Sequence, residues 1–181
     1  MSIELIQTAP DFSDPLGLLS ACHGRIEAQC ATLLRLLAHL QTSGTDEQAR
    51  QAAVKILKYF NTAGKHHHED EEIDLFPVLI QIAAAENNED PAIWISELCS
   101  EHLIMETAWQ SLAAFLEKIA ENQPVSPDDL PVTHFVNLYR THMAKEDQLL
   151  FPYARKKLGA AQLSLLGLNM ATRRNAHAKS R

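Results

Sequence analysis

The sequence predicts an all-α fold: an up-down-up-down four-helix bundle with a short C-terminal helical extension. Three observations carry this expectation. Only six glycines occur in 181 residues, while leucine and alanine are abundant. The prolines fall mainly near Pro10 and Pro15, at Pro91, and at Pro124, Pro127 and Pro131, where they punctuate the chain between long segments. Within those segments apolar residues recur at spacings of three and four, the period of a helix with one buried face. The length suits one domain, divided into an N-terminal arm over 1–15, the bundle over 16–158, and a short helix with a basic tail over 159–181.

The first helix is expected over about 16–41, where Leu19, His23, Ile26, Cys30, Leu33, Leu37 and Leu40 line one face. Thr42 to Thr45, with Gly44, form the first link. The second helix, about 46–85, carries Phe60, Gly64, His67, Glu71, Leu75 and Val78 on its inner face. Asn87 to Asp90 lead to the third, about 91–121, with Ile95, Leu98, His102, Met105, Trp109, Leu112, Leu116 and Ile119. Asn122 to Pro127 lead to the fourth, about 128–158, with Phe135, Leu138, His142, Glu146, Leu149 and Tyr153. A shorter helical turn follows around 160–170. Links this short make consecutive helices antiparallel neighbours.

Composition narrows the function. A net charge of −7 and a pI near 5.7 argue against a nucleic-acid partner, which needs a clustered basic face. The only basic cluster, Arg173, Arg174, Lys179 and Arg181, reads as a solvated, frayed end. No stretch approaches the ~18 apolar residues of a membrane span. Met1 to Pro10 lacks a basic region followed by an apolar run, so no secretory signal is expected and a cytoplasmic address follows by default. Cys22, Cys30 and Cys99 are an odd number without metal-finger spacing and read as reduced thiols, packed in the core by default.

Histidine is the conspicuous residue, with nine copies against three tyrosines and two tryptophans. Each of the four stripes carries one histidine, and the second and fourth add a glutamate, so six ionisable groups sit on faces that should be buried. The second and fourth helices repeat one another: His67-His-Glu-Asp-Glu71-Glu-Ile-Asp-Leu-Phe76-Pro77 matches His142-Met-Ala-Lys-Glu146-Asp-Gln-Leu-Leu-Phe151-Pro152, or HxxxE[ED]xxLFP twice, 75 residues apart. His23 with Glu27 and His102 with Glu106 repeat in the preceding helices. Two helical hairpins paired by a pseudo-twofold axis would bring four histidines and two carboxylates into one layer. Phe-Pro at 76–77 and 151–152 would bend each helix just beyond it.

A histidine and a glutamate four apart lie on one helical face and can reach one metal centre. Imidazole and carboxylate without thiolate favour iron, manganese or zinc. With both glutamates bridging two ions, the shell is incomplete, which points to binding or catalysis rather than a closed structural site. The Glu-x-x-His pair of ferritin-like carboxylate proteins and the H-E-x-x-H of zinc proteases are both missing.

These segments, with His23 and Glu101-His102, resemble the hemerythrin-like, HHE cation-binding family over roughly residues 16–158. The resemblance implies a four-helix bundle holding two non-haem iron ions, with manganese or zinc as substitutes. It implies an open position for oxygen, nitric oxide or peroxide, used in oxygen or redox sensing or stress protection. In the family's terms His23 and His67 would ligate one iron, His102 and His142 the other, and Glu71 and Glu146 would bridge. His68, directly after His67, is the candidate fifth imidazole, although it lies about 100° round the helix. Glu106 competes for that role, and Glu27 and Glu106 are the expected partners of the imidazole N–H groups. Oxygen-carrying hemerythrins offer HxxxH on the third helix, where this chain has His102-xxx-Glu106, a departure that bears against reversible oxygen carriage. The alternative function is an iron sensor or store in which metal occupancy controls folding or a partner surface. His66 is expected to face solvent or Asp70, His39, His134 and His177 to be structural or superficial, and Glu69 to Glu72, apart from Glu71, to be a solvated acidic face.

Overall fold

The computed structural model describes the backbone of residues 10–179 and the side chains of residues 10–175. Much of the N-terminal arm expected over 1–15, the side chains of His177 and Lys179, and Arg181 lie outside the described residues. Helix α1, Pro15–Ser43, begins where Asp14 accepts from Gly17 N–H and Pro15 takes the first helical position, whose N–H has no intrahelical partner anyway. Helix α2 spans residues 47–85, capped by Asp46, which accepts from Ala49 N–H at 2.8 Å. Helix α3 is Asp90–Ala120, α4 spans residues 132–157, and α5 is Ala160–Lys179. Gly44, Asn87 and Asn122 end the first three helices at φ 70°, 52° and 62°, the left-handed geometry that turns a chain out of a helix. Helix α4 starts later than expected: Leu130, before Pro131, is held extended at ψ 119°, leaving Pro127–Asp129 as a separate 3-10 turn.

Helix α1 packs on α2 and α4, and α3 packs on the same two, closing an all-α bundle. The core divides into two apolar clusters. One holds the C-terminal half of α1 and α3 and the N-terminal half of α2 and α4, with Ile26, Leu33, Ile56, Phe60, Leu112, Leu116 and Phe135. The other holds the opposite halves, with Leu16, Leu19, Leu75, Phe76, Leu79, Ile95, Leu98, Leu150 and Phe151. On every helix of the bundle the buried polar residues fall at the boundary between the two: His23, His67, Asp70, Glu71, His102, His142 and Glu146. Apolar packing flanks this layer above and below.

Helices α2 and α4 are not uniform. Both Phe-Pro pairs are preceded by π-helical turns, Asp70–Leu75 and Glu146–Leu150, in which Phe76 N–H donates to Glu71 O and Phe151 N–H to Glu146 O. Each closing bond reaches back five residues, as a π turn requires, and its acceptor is the backbone of the glutamate that faces the layer. The extra residue per turn rotates the rest of each helix. Leu79, Leu150 and Ala154 are buried in place of the expected Val78, Leu149 and Tyr153, and Leu149 is 39% exposed. A third π turn, Phe60–Gly64, lies in α2 before the layer.

The C-terminal extension departs most from expectation. Helix α5 has 20 residues rather than about ten, and it packs on α1 and on the π turn Asp70–Leu75. Arg173 and Arg174 are not a frayed end: both bind the fully buried Asp70 carboxylate, Arg174 Nη2 at 2.6 Å from Oδ2. Among the described residues no helix is long and apolar enough to cross a membrane.

Candidate metal centre

The layer is organised by two carboxylates that share its centre. Glu71 Oε1 lies 3.4 Å from His67 Nε2 and Glu71 Oε2 lies 3.7 Å from His102 Nε2. Glu146 Oε2 lies 3.1 Å from His23 Nε2 and Oε1 lies 3.3 Å from His142 Nε2. Each carboxylate therefore presents one oxygen to His23 or His67 and the other to His102 or His142. The donor atoms fall into two sets, His23-His67-Glu71-Glu146 and Glu71-His102-His142-Glu146, each with its atoms within 4.8 Å of one another. Both glutamates belong to both sets, so the arrangement suits two ions with two carboxylate bridges.

The outer nitrogens of three imidazoles are held by acids on other helices. His23 Nδ1 is 3.0 Å from Asp147 Oδ1, His102 Nδ1 is 2.6 Å from Glu72 Oε1, and His142 Nδ1 is 2.8 Å from Glu101 Oε2. A carboxylate on Nδ1 fixes the tautomer with its proton there and turns the Nε2 lone pair inward. His102 Nε2 and His142 Nε2 are 3.0 Å apart. As neutral rings oriented this way they oppose two lone pairs, an arrangement that a cation relieves.

The buried atoms test whether a metal fits. Both oxygens of Glu71 and of Glu146, His23 Nε2, both nitrogens of His67 and His68 Nε2 are buried without a hydrogen-bond partner in the chain. Orphaned buried polar atoms are costly, and these all belong to residues of the candidate donor groups. Their spacing also suits coordination, since two donors about 2.1 Å from one ion and at right angles stand about 3.0 Å apart. Burial, reinforced by Glu146, holds the Glu71 carboxyl well above the usual range. Burial acts the same way on Glu146, but His142 and His23 outweigh it and hold that carboxyl well below. The two acids of the pair are thus driven in opposite directions when only imidazoles face them, and cations would favour the ionised form of both. Burial drives His67 down to about 3, so that imidazole is neutral and ready to donate a lone pair at neutral pH.

Residues 14–154 match the family model described as hemerythrin HHE cation binding domain, a stretch that contains every residue of the layer. The chain belongs to the hemerythrin HHE cation-binding family. An uncharacterized protein of Haemophilus influenzae (strain ATCC 51907 / DSM 11121 / KW20 / Rd) is 31% identical over 163 residues, which cover 90% of this chain and 91% of that protein.

Other family-type candidates are sorted by the structure. His68 lies beside the second donor set: its ring stacks on His102 at 4.0 Å between centroids, and one donor group comprises His68, His102 and His142. Glu106 does not join any donor group; it lines a cleft of about 670 Å³ that reaches His68 and His102 from solvent, walled by Phe60, Trp109 and Tyr139. Among the described residues Glu27 and Glu106 also hold no imidazole. Glu27 pairs with Arg140 at 2.5 Å and Glu106 accepts from Gln110. The orienting acids are instead Glu72, Asp147 and Glu101; the first two each stand one past an inward glutamate and so swing toward the neighbouring hairpin. The acidic run is divided: Asp70 is not solvated but buried against Arg173 and Arg174, whereas Glu72 is exposed as expected even while it holds His102. His66 Nδ1 meets Glu69 at 3.1 Å rather than Asp70, His39 bonds the capping Asp46, and His134 is exposed. Cys22 and Cys30 are buried and free, and Cys99 is half-buried.

Proposed function

We propose that this chain is a non-haem di-iron protein that binds oxygen, nitric oxide or peroxide at an open metal position. His23 and His67 would hold one iron, His102, His142 and His68 the other, and Glu71 and Glu146 would bridge, with manganese or zinc as substitutes. The observation that carries this reading is the placement of the two oxygens of each glutamate toward different histidine sets. When bound, two irons would supply redox chemistry and an exchangeable position for a small ligand. The chain's own residues would do the rest. Two carboxylates would offset cationic charge, Glu72, Glu101 and Asp147 would fix the rings, and the apolar clusters on either side would exclude water. The cleft ending at His68 and His102 would give a diatomic molecule or peroxide its approach.

The test is the visible spectrum of protein loaded anaerobically with ferrous ion, before and after oxygen, nitric oxide or peroxide. New charge-transfer bands in the wild type that are lost in His102→Ala support the reading. A silent spectrum with all three ligands overturns the small-molecule function.

A second reading is favoured by the cost of the layer itself. Orphaned carboxylates and imidazoles on three helices, α1, α2 and α4, would make metal binding part of folding, which suits an iron sensor or store. Its mark is an apo form much more sensitive to protease than the loaded form; equal resistance counts against it.

A further inference from the structure

Helix α5 lies outside the four helices that furnish the buried layer, yet it meets that layer at one place. Its Arg173 and Arg174 both reach Asp70, which is 0% exposed, and Arg173 Nη2 also reaches Asp74 Oδ2 at 2.5 Å. Asn169 Nδ2 donates to Asp74 Oδ1 at 2.7 Å. Asp70 and Asp74 bracket Glu71 and Glu72 within the single π turn Asp70–Leu75. That turn presents a glutamate that faces both donor sets and the acid that orients His102. The other end of the clamp is fixed as well. Helix α5 approaches the segment before α1 so closely at Gly167 that a Cβ there would lie 2.0 Å from Phe12 O, and the Arg174 guanidinium sits over the Phe12 ring.

We propose that Asp70, Arg173 and Arg174 are positioning residues of the metal centre, and that docking of α5 and metal occupancy are coupled through the π turn Asp70–Leu75. The inference rests on the metal-binding reading of the layer. A π turn has fewer well-aligned bonds than an α turn and can rearrange. A buried carboxylate held by two guanidinium groups is a strong local restraint, since removing its partners leaves an uncompensated charge in the interior. With the clamp made, Glu71 and Glu72 are held at the register in which they face the histidines. With it broken, the turn relaxes to bring Asp70 to water and carries both glutamates with it. Coupling is reciprocal, so metal that needs Glu71 in place must also hold α5 down.

The experiment compares ferrous-ion affinity, measured anaerobically by chelator competition, in wild type, Asp70→Asn, the double variant Arg173→Gln/Arg174→Gln, and Leu116→Ala. Leu116 lies in the apolar cluster away from the π turn and its truncation destabilises the bundle without touching the clamp. Circular dichroism confirms that each variant is folded at the temperature used. Hydrogen exchange of residues 160–175 is followed with and without ferrous ion. The expected result is at least tenfold weaker binding in both clamp variants, the range seen when outer partners of metal ligands are removed. Leu116→Ala should bind as wild type does, and ferrous ion should slow exchange of α5 in wild type but not in Asp70→Asn. Clamp variants that bind as tightly as wild type, or that weaken no more than Leu116→Ala, overturn the inference while leaving the metal site standing. A wild type that binds no ferrous ion overturns the metal-binding reading, and this inference with it.

Discussion

Glu72, on the first helical hairpin, holds His102 Nδ1 at 2.6 Å on the second, and Asp147 of the second hairpin holds His23 Nδ1 of the first at 3.0 Å. The doubled HxxxE[ED] segment thus does two jobs in each copy. Its glutamate faces the centre, and the acid after it reaches across to orient the other hairpin's histidine. Glu72→Gln and Asp147→Asn should each keep the bundle folded and weaken ferrous binding by about 10–100-fold. Calorimetric titration under anaerobic conditions checks this, and unchanged affinity in both variants would show that the imidazoles need no orienting acid.

His68 decides whether the two positions are equivalent. It joins a donor group with His102 and His142 but with neither glutamate. His68→Ala should loosen one iron and leave the other, giving two classes of site in a chelator-release experiment. A single class of two tightly held irons would remove His68 from the ligand set.

Glu27 is a surface partner of Arg140, with both side chains more than two-fifths exposed. The hydrogen bond from Arg140, with its charge, holds the Glu27 carboxyl below its usual range. A depressed folded-state value means stability present above the ordinary carboxylate pKa and lost as pH falls through the folded one. Glu27→Gln should therefore cost no more than about 1 kcal/mol at pH 7, as exposed pairs do, and nothing once the carboxyl is protonated in the wild type. Urea unfolding across the acid range measures it, and two irons should remain bound at pH 7. Loss of iron in this variant would return Glu27 to the metal centre.

Burial, with Glu27 nearby, pushes the Cys30 thiol up to about 12, leaving negligible thiolate near neutrality. Cys30 should stay unlabelled by iodoacetamide at pH 8 in folded protein and react once urea unfolds it. Peptide mass spectrometry reports the site, and rapid labelling in the folded state would contradict its place in the core.

The inner faces of α1 and α3 were readable from spacing, because both helices keep the α period throughout; in α3 every residue from Ile95 to Ile119 read as inward is buried, and α1 departs from its expected stripe at Leu37, which is half-buried beside the buried Leu36. Helices α2 and α4 were readable up to their glutamates except at Leu138, which is half-buried where the neighbouring Tyr139 is buried. Past Glu71 and Glu146 the π turns add a residue, and a strict α period then points to Val78 and Leu149 where the chain buries Leu79 and Leu150. The six central residues stood out as ionisable groups in apolar stripes. Their orienting acids did not, although the second acid of each E[ED] pair was a signal in plain view. The grip of Arg173 and Arg174 on Asp70 had no local signal, since over a hundred residues separate them in sequence and a basic cluster near a chain end has the composition of a solvated tail.

The most direct test is the number of irons per chain after anaerobic ferrous reconstitution and removal of loose metal, measured by elemental analysis in wild type and in Glu146→Ala. Two irons in the wild type, falling to one or none when the shared carboxylate is removed, is the predicted result. No iron in the wild type, or two irons retained without Glu146, would contradict a centre built on two shared glutamates.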